Sequence, residues 1–198
     1  GKPGIGKSTL ARDIALEVQG ALENVDLRGG SYSASSKNPF DNYSGEEILI
    51  LDDLREDSLA PSDWLKLFDP INSARMSARY RNKLVVPRLV IMSAYMSPKQ
   101  FFGQIQEEDI NQYLRRVNYS SEISKKHGKE ERFYSVSEVR ENRENGHFQR
   151  PDGSSVVLNF DYEDLFCSQN KDDFISKLLE DCIYPRILPK KVKDVTND

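Results

Sequence analysis

Hydrophobic residues with helical spacing follow the first few positions of the chain. Leu10, Ile14 and Val18 recur every four residues, which is the spacing of one face of an α-helix. The sequence therefore predicts a helix over residues 7–18. The glycines and serines between positions 29 and 36 are typical of a loop, and we expect a loop there.

Two short apolar runs, ILIL at 48–51 and LVIM at 89–92, lack the polar alternation of a half-exposed strand. Such runs are typical of strands that are buried on both faces of a parallel sheet. Helical patterns lie between and after them, one opening at Pro61 and one after Pro98. This alternation predicts an α/β fold in which a mostly parallel sheet lies between helices.

The pattern changes after residue 118. A polar and charged stretch over 119–131 leads into two strand-like runs at 133–139 and 156–160, with turn-forming residues over 144–155 between them. Apolar positions from Phe174 to Cys182 predict a last amphipathic helix before Pro185. We therefore predict a core over 1–118 and a small C-terminal β/α appendage, a β-hairpin and a helix, over 119–198.

Composition excludes several classes of protein. A chain of 198 residues with 37% hydrophobic and 30% charged residues is typical of a globular body. The longest apolar stretches are strand-sized, so we expect no membrane-spanning segment. Cys167 and Cys182 lack CxxC spacing, so neither a disulfide framework nor a zinc site is predicted. With a net charge of -4, nucleic-acid binding would have to depend on local charge.

The first eight residues, GKPGIGKS, match the phosphate-binding pattern G-x-x-x-x-G-K-[ST]. The backbone N–H groups of such a loop surround nucleotide phosphates, and the helix that follows adds positive potential. We expect Lys7 to reach the β- and γ-phosphates and the Ser8 hydroxyl to bind Mg²⁺. The sequence thus predicts ATP and Mg²⁺ as cofactors, with a binding loop made of Gly1, Pro3, Gly4, Ile5, Gly6, Lys7, Ser8 and Thr9.

Polar side chains follow both apolar runs. Asp52 and Asp53 come directly after the first, where one carboxylate can hold magnesium while its neighbour polarises the attacking water. We assign the metal to Asp52 and the water to Asp53. Ser93 follows the second run and is suited to contact the γ-phosphate or the water, although an ordinary strand end explains it equally well.

Positive charge is concentrated in the middle of the chain. No acidic residue occurs between positions 70 and 106, whereas six basic residues do. Basic residues attract a nucleic-acid backbone and an interleaved aromatic ring can stack on a base, so our nucleic-acid-binding candidates are Arg79, Tyr80, Arg81 and Lys83. A solvated basic face or a subunit interface is the alternative.

Two adjacent arginines, Arg115 and Arg116, end a predicted helix. An arginine from one subunit can stabilise the transition-state charge in a neighbour's nucleotide site. Arginines in this position can equally complement the helix dipole. We assign the catalytic role to Arg116, with Arg115 as the second choice, and this role requires a ring-shaped oligomer.

The ordered segments GKPGIGKS, ILILDD, SARYRNK, LVIMSAY and QYLRRV resemble the superfamily 3 helicase domain of rolling-circle replication initiator (Rep) proteins from plasmids and circular single-stranded DNA viruses. The resemblance covers residues 1–117. It implies an AAA+-like P-loop NTPase core that forms a hexamer around single-stranded DNA and hydrolyses ATP between subunits. It also implies a first strand and an endonuclease domain upstream of this chain. The third motif of that family usually has an asparagine after Ser or Thr, whereas Ala94 follows Ser93 here.

The expected function is therefore an ATP-dependent DNA helicase that unwinds DNA during rolling-circle replication, located in the bacterial cytoplasm if plasmid-borne or the host nucleus if viral. Three alternatives stay open from the residues alone. They are a viral-type RNA helicase, a nucleotide-controlled assembly scaffold that does not translocate, and a small-molecule kinase.

Overall fold

A computed structural model describes residues 4–27, 29–34, 39–53, 55–69, 74–76, 82–125 and 131–189. Its helices are α1 (Lys7–Glu23), α2 (Pro61–Leu67), α3 (Pro98–Phe102), α4 (Ile110–Leu114), α5 (Lys171–Leu178) and α6 (Tyr184–Ile187), and a π-helical turn, Leu179–Ile183, joins α5 to α6. Its strands are β1 (Ser31–Ala34), β2 (Ile48–Leu51), β3 (Ala74–Met76), β4 (Lys83–Val85), β5 (Leu89–Met92), β6 (Tyr119–Lys125), β7 (Arg132–Gln149) and β8 (Ser155–Ser168).

A parallel sheet with the strand order β1-β2-β5 forms the centre of the fold. All four residues of β2 are buried. Its alternate side chains face two different hydrophobic clusters, with Ile48 and Ile50 packed with α1 and Leu49 and Leu51 packed with the aromatic residues of α2, α3 and α4. The prediction of an α/β fold with a parallel sheet is confirmed, and burial on both faces is confirmed for β2, whereas all four residues of β5 are only half-buried.

The loop predicted over 29–36 is wrong for residues 31–34, which form β1. Ser31 pairs with Ile48 and Ala34 pairs with Leu51 in parallel register. Ala34 is buried while Ser31 is exposed, so this outer strand carries little apolar signal. Backbone hydrogen bonds to β2 stabilise it, and they are not visible in a hydrophobic pattern.

The C-terminal region contains an antiparallel sheet with the order β6-β7-β8. The predicted strands at 133–139 and 156–160 are present but much shorter than β7 and β8, and β6 lies in the stretch that we interpreted only as polar. The predicted turn shrinks to residues 150–154. One face of these strands is solvated, and cross-strand ion pairs such as Arg140 with Glu163 replace apolar contacts on it.

The antiparallel sheet packs against both hydrophobic clusters. Ile123, Tyr134 and Val136 are buried with α1 and α5, whereas Leu158 is buried with the aromatic residues of α2–α4. At the far end of β7, the Phe148 ring lies so close to Gly103 that a Cβ on this glycine would be 2.3 Å from it. The boundary after residue 118 stays a prediction.

The predicted last amphipathic helix is confirmed, since Phe174, Leu178, Leu179 and Cys182 are all buried. It does not end before Pro185, because this proline lies in the first turn of α6, where its missing N–H costs nothing.

Across the described ranges, no helix has both the length and the apolar character that a membrane span requires.

Candidate nucleotide-binding site

Two glycines shape the phosphate loop. Gly4 has φ 72° and Gly6 has φ 103°, conformations that residues with a Cβ rarely adopt. Gly6 is the N-cap of α1, and no side chain caps this helix end in the described part of the chain. The first turn of α1 contains no acidic residue. The N–H groups at such a helix start suit an anion.

The remaining loop residues have different surroundings. Ile5 is 6% exposed and belongs to the hydrophobic cluster with α1, so it anchors the loop on the core. Lys7 and Ser8 are half-buried in the first turn, and Thr9 is exposed. Gly1 and Pro3, which the motif includes, lie outside the described residues.

The carboxylate of Asp52 accepts hydrogen bonds from two serines on different segments. Ser8 Oγ donates to Asp52 Oδ1 over 2.9 Å, and Ser93 Oγ donates to the same oxygen over 2.5 Å. Asp52 follows β2 and Ser93 follows β5, and these strands pair in parallel up to Leu51 and Met92. The carboxyl ends of parallel strands meet at one edge of the sheet, so the topology brings these residues to the start of α1.

Asp53 has an unusual backbone conformation. Its φ is 52°, in the left-handed region that few residues other than glycine, asparagine and aspartate adopt. Its N–H donates a hydrogen bond of 3.0 Å to Ser93 Oγ, and its side chain is exposed. Ser93, only 7% exposed, thus contacts both acidic residues. Left-handed residues held by surrounding contacts are common at functional sites.

The oxygen atoms of Ser8 and Asp52 suit a magnesium ion. Mg²⁺ prefers oxygen ligands, and in nucleotide sites it takes few from the protein because phosphates and water complete its shell. A hydroxyl and a carboxylate already within 2.9 Å of each other match this requirement. No cluster of three or more His, Cys, Asp or Glu that could hold a metal by itself occurs among the described residues.

One cation that the sequence did not single out lies beside the loop. A Cβ on Gly6 would be 3.2 Å from Arg132 Nη1 and 3.6 Å from Arg132 Cζ. Arg132 is exposed at the start of β7. It lies 126 positions away from Gly6 within a charged stretch without a motif, so nothing local in the sequence indicates this proximity.

The two arginines that end α4 differ in their surroundings. Arg116 is half-buried, its Nη1 donates to the Gln112 carbonyl over 2.5 Å, and its buried Nε has no hydrogen-bond partner in the described structure. Burial and the neighbouring Arg115 lower the pKa of Arg116, while Asp69 raises it. Arg115 is exposed. Arg115 is thus the more accessible of the two, and a role for either in a neighbouring subunit stays a prediction.

Of the predicted nucleic-acid segment, the structure describes Lys83, which lies in β4, and β4 pairs antiparallel with β3. Lys83 is half-buried in β4, and its Nζ donates a hydrogen bond of 2.9 Å to the Tyr43 carbonyl. This hydrogen bond joins β4 to the segment that contains Tyr43. Arg79, Tyr80 and Arg81 lie outside the described residues.

Comparison with known proteins gives two matches. Residues 1–96 match the family model described as RNA helicase. A replication protein of Onion yellows phytoplasma (strain OY-M) is 37% identical over 130 residues, which cover 64% of this chain and 32% of that protein. The chain thus spans about a third of the relative's length. The mixed α/β fold with its parallel sheet fits a P-loop NTPase, and the chain is similar to a helicase family over its first 96 residues and to a replication protein.

Proposed function

We propose that this chain binds ATP and Mg²⁺ at the loop before α1 and hydrolyses ATP to move along single-stranded DNA during replication. It acts as part of a homo-oligomeric ring, which is a hexamer in the family that the sequence resembles. The observation that carries the proposal is the meeting of Ser8, Asp52 and Ser93 at one edge of the parallel sheet. Three separate segments supply the hydroxyls and the carboxylate that nucleotide hydrolysis needs.

Each residue has a distinct role in this mechanism. Lys7 and the N–H groups of α1 bind the phosphates, while Ser8 and Asp52 hold the metal. Bound Mg²⁺ neutralises charge on the phosphates. Asp53, exposed beside Asp52, accepts a proton from the attacking water. Ser93 fixes the positions of both acidic residues through its hydroxyl, and Arg116 or Arg115 acts on a neighbouring subunit's nucleotide.

The resemblance and the two matches point to different nucleic acids. The resemblance to rolling-circle initiators and the similarity to a replication protein favour DNA, whereas the matching family is described as RNA helicase. Contacts with a phosphate backbone do not distinguish the two polymers, since distinction requires recognition of the 2′-hydroxyl. An RNA helicase is therefore the second candidate function.

The test is steady-state ATP hydrolysis with no polymer, with an oligo-dT strand and with an oligo-U strand of equal length. We expect stimulation by oligo-dT that disappears in Lys7→Ala and weakens in Arg81→Ala, with Lys66→Ala as a control because Lys66 forms an exposed ion pair on α2. Stronger stimulation by oligo-U would select the RNA helicase. Hydrolysis without stimulation by either strand would contradict translocation and favour a nucleotide-controlled scaffold.

The ring can be tested by mixing inactive variants. Lys7→Ala destroys its own site but keeps its arginines, whereas an Arg115→Ala or Arg116→Ala variant keeps an intact site. If one of these arginines acts in a neighbouring subunit, mixing it with Lys7→Ala restores part of the hydrolysis. A strictly monomeric, fully active protein in analytical ultracentrifugation would exclude the ring and favour a small-molecule kinase.

A further inference from the structure

The packing of β7 on α1 determines where Arg132 lies. Side chains two positions apart on a strand share a face, so Arg132, Tyr134 and Val136 form one row. Val136 is 1% and Tyr134 is 5% exposed, and both belong to the cluster built on α1. The next residue of this row toward the start of β7 is Arg132, at the Gly6 end of α1. The core contacts thus hold the guanidinium beside the phosphate loop.

The charge around Arg132 is not neutralised by an acidic partner. Within the ranges that the structure describes, the Arg132 side chain has no hydrogen bond or ion pair. By contrast, Arg140 on the same strand pairs with Glu138 and Glu163. An arginine without an acidic partner, next to a loop that lacks acidic residues, favours a bound anion.

We propose that Arg132 is a phosphate-binding residue that contacts the nucleotide held by its own chain. The inference rests on the proposed function, which it deepens by adding a ligand from the antiparallel sheet to those of the loop. A guanidinium carries a permanent charge and can donate two parallel hydrogen bonds to phosphate oxygens. Arg132 acts on the nucleotide of its own chain, whereas Arg115 or Arg116 acts on the nucleotide of a neighbouring subunit.

Isothermal titration calorimetry with Mg·ADP and with the non-hydrolysable Mg·AMP-PNP tests the proposal on the 198-residue chain. Arg132→Ala should weaken binding of both nucleotides by roughly tenfold to a hundredfold, the range for a lost charge-assisted hydrogen bond. Arg132→Lys should recover part of the affinity because it keeps the charge. Arg132→Gln keeps the aliphatic stem without the charge and should resemble Arg132→Ala.

The matched control is Arg140→Ala. Arg140 is exposed on the same strand, eight residues away from Arg132, which is roughly 26 Å along an extended strand. Its replacement should leave both affinities unchanged. The thermal midpoint Tm of each variant shows whether a loss of binding comes from unfolding, and Arg132→Gln decides the matter if Arg132→Ala does not fold.

The outcomes separate the two proposals. If the wild type binds nucleotide, Lys7→Ala does not and the Arg132 variants bind like the wild type, the Arg132 proposal is overturned while the proposed function stands. If the wild type binds neither nucleotide, both fail together. At an ATP concentration too low to saturate Arg132→Ala, adding Lys7→Ala should not increase hydrolysis, because both defects affect the subunit's own site. Restored activity would show action across subunits and overturn the assignment to the same chain.

Discussion

A hydrogen bond of 2.9 Å from Ser8 Oγ to Asp52 Oδ1 joins residues that lie 44 positions apart in the chain. The first turn of α1 and the end of β2 are thus in direct contact. Such preorganisation reduces the rearrangement that a metal site must undergo when it is loaded. Replacing either partner should affect metal-dependent chemistry more than folding.

Asp52→Asn is the sharpest test of this contact. The amide oxygen still accepts from Ser8 and Ser93, but the charge that attracts Mg²⁺ is lost, so we expect kcat for ATP hydrolysis to fall by roughly 100-fold or more. The thermal midpoint should change little. Calorimetry with ADP in the presence of EDTA should show unchanged binding, and a large loss of this metal-independent binding would contradict a metal role for Asp52.

Substitutions at Asp53 can separate the effect of its carboxylate on hydrolysis from the effect of its left-handed backbone on stability. Asn tolerates a φ of 52° and removes the proton acceptor, so Asp53→Asn should lower kcat by roughly 100-fold while stability stays close to that of the wild type. Asp53→Ala should lose a similar amount of activity and also about 1 kcal/mol of stability because of the left-handed backbone. Urea denaturation and steady-state kinetics measure the two effects. Normal activity in Asp53→Asn would exclude the assigned role with water.

Ser93→Ala removes the hydroxyl that contacts both acidic residues. The half-buried Asp52 carboxylate loses one donor and the Asp53 N–H loses its acceptor. We expect kcat to fall roughly tenfold and stability to fall by about 2 kcal/mol. Ser176→Ala, at an exposed position on α5, is the matched control and should change neither quantity. Unchanged kinetics in Ser93→Ala would reduce Ser93 to an ordinary strand end.

Alkaline pH should destabilise the fold through Tyr113. Burial, and to a smaller extent Glu108 and Glu107, raise the pKa of Tyr113 to about 12, whereas the unfolded phenol ionises near ~10. The unfolded chain then releases a proton that the folded chain keeps, so stability falls as the pH rises from 10 through 12. Tyr113→Phe keeps the stacking on Phe102, whose ring centroid is 4.8 Å away. The free energy of unfolding, measured from denaturation curves between pH 9 and 12, should fall less steeply with pH for this variant than for the wild type. Equal slopes would contradict the prediction.

The sequence was sufficient to predict the central strands and the residues that follow them. Strands β2 and β5 are short, apolar and parallel, and their carboxyl ends must meet at one sheet edge. The proximity of Asp52 and Ser93 follows from this rule and from the backbone pairing of Leu51 with Met92. The helix after the phosphate loop was equally predictable, because its buried residues recur with helical spacing.

Other features depend on contacts that no local pattern reveals. Strands β1 and β6 are polar and gain their stability from backbone pairing with a neighbour. The position of Arg132 depends on where Tyr134 and Val136 pack on α1, which is a contact between distant parts of the chain. The stability of these features is set by tertiary structure, so hydrophobic periodicity could not predict them.

Strand β7 makes two close contacts, Arg132 beside Gly6 at its start and Phe148 against Gly103 near its end, and its pairing with β8 shifts register between them. An insertion or deletion of a single residue turns all later side chains to the opposite face of a strand. Between Arg132 and Val136, where the pairing register of β7 is uninterrupted, such a change would move Arg132 away from Gly6, whereas the exposed turn at 150–154 can accept extra residues. Length variation among natural relatives should therefore be concentrated in that turn and be rare between Arg132 and Val136.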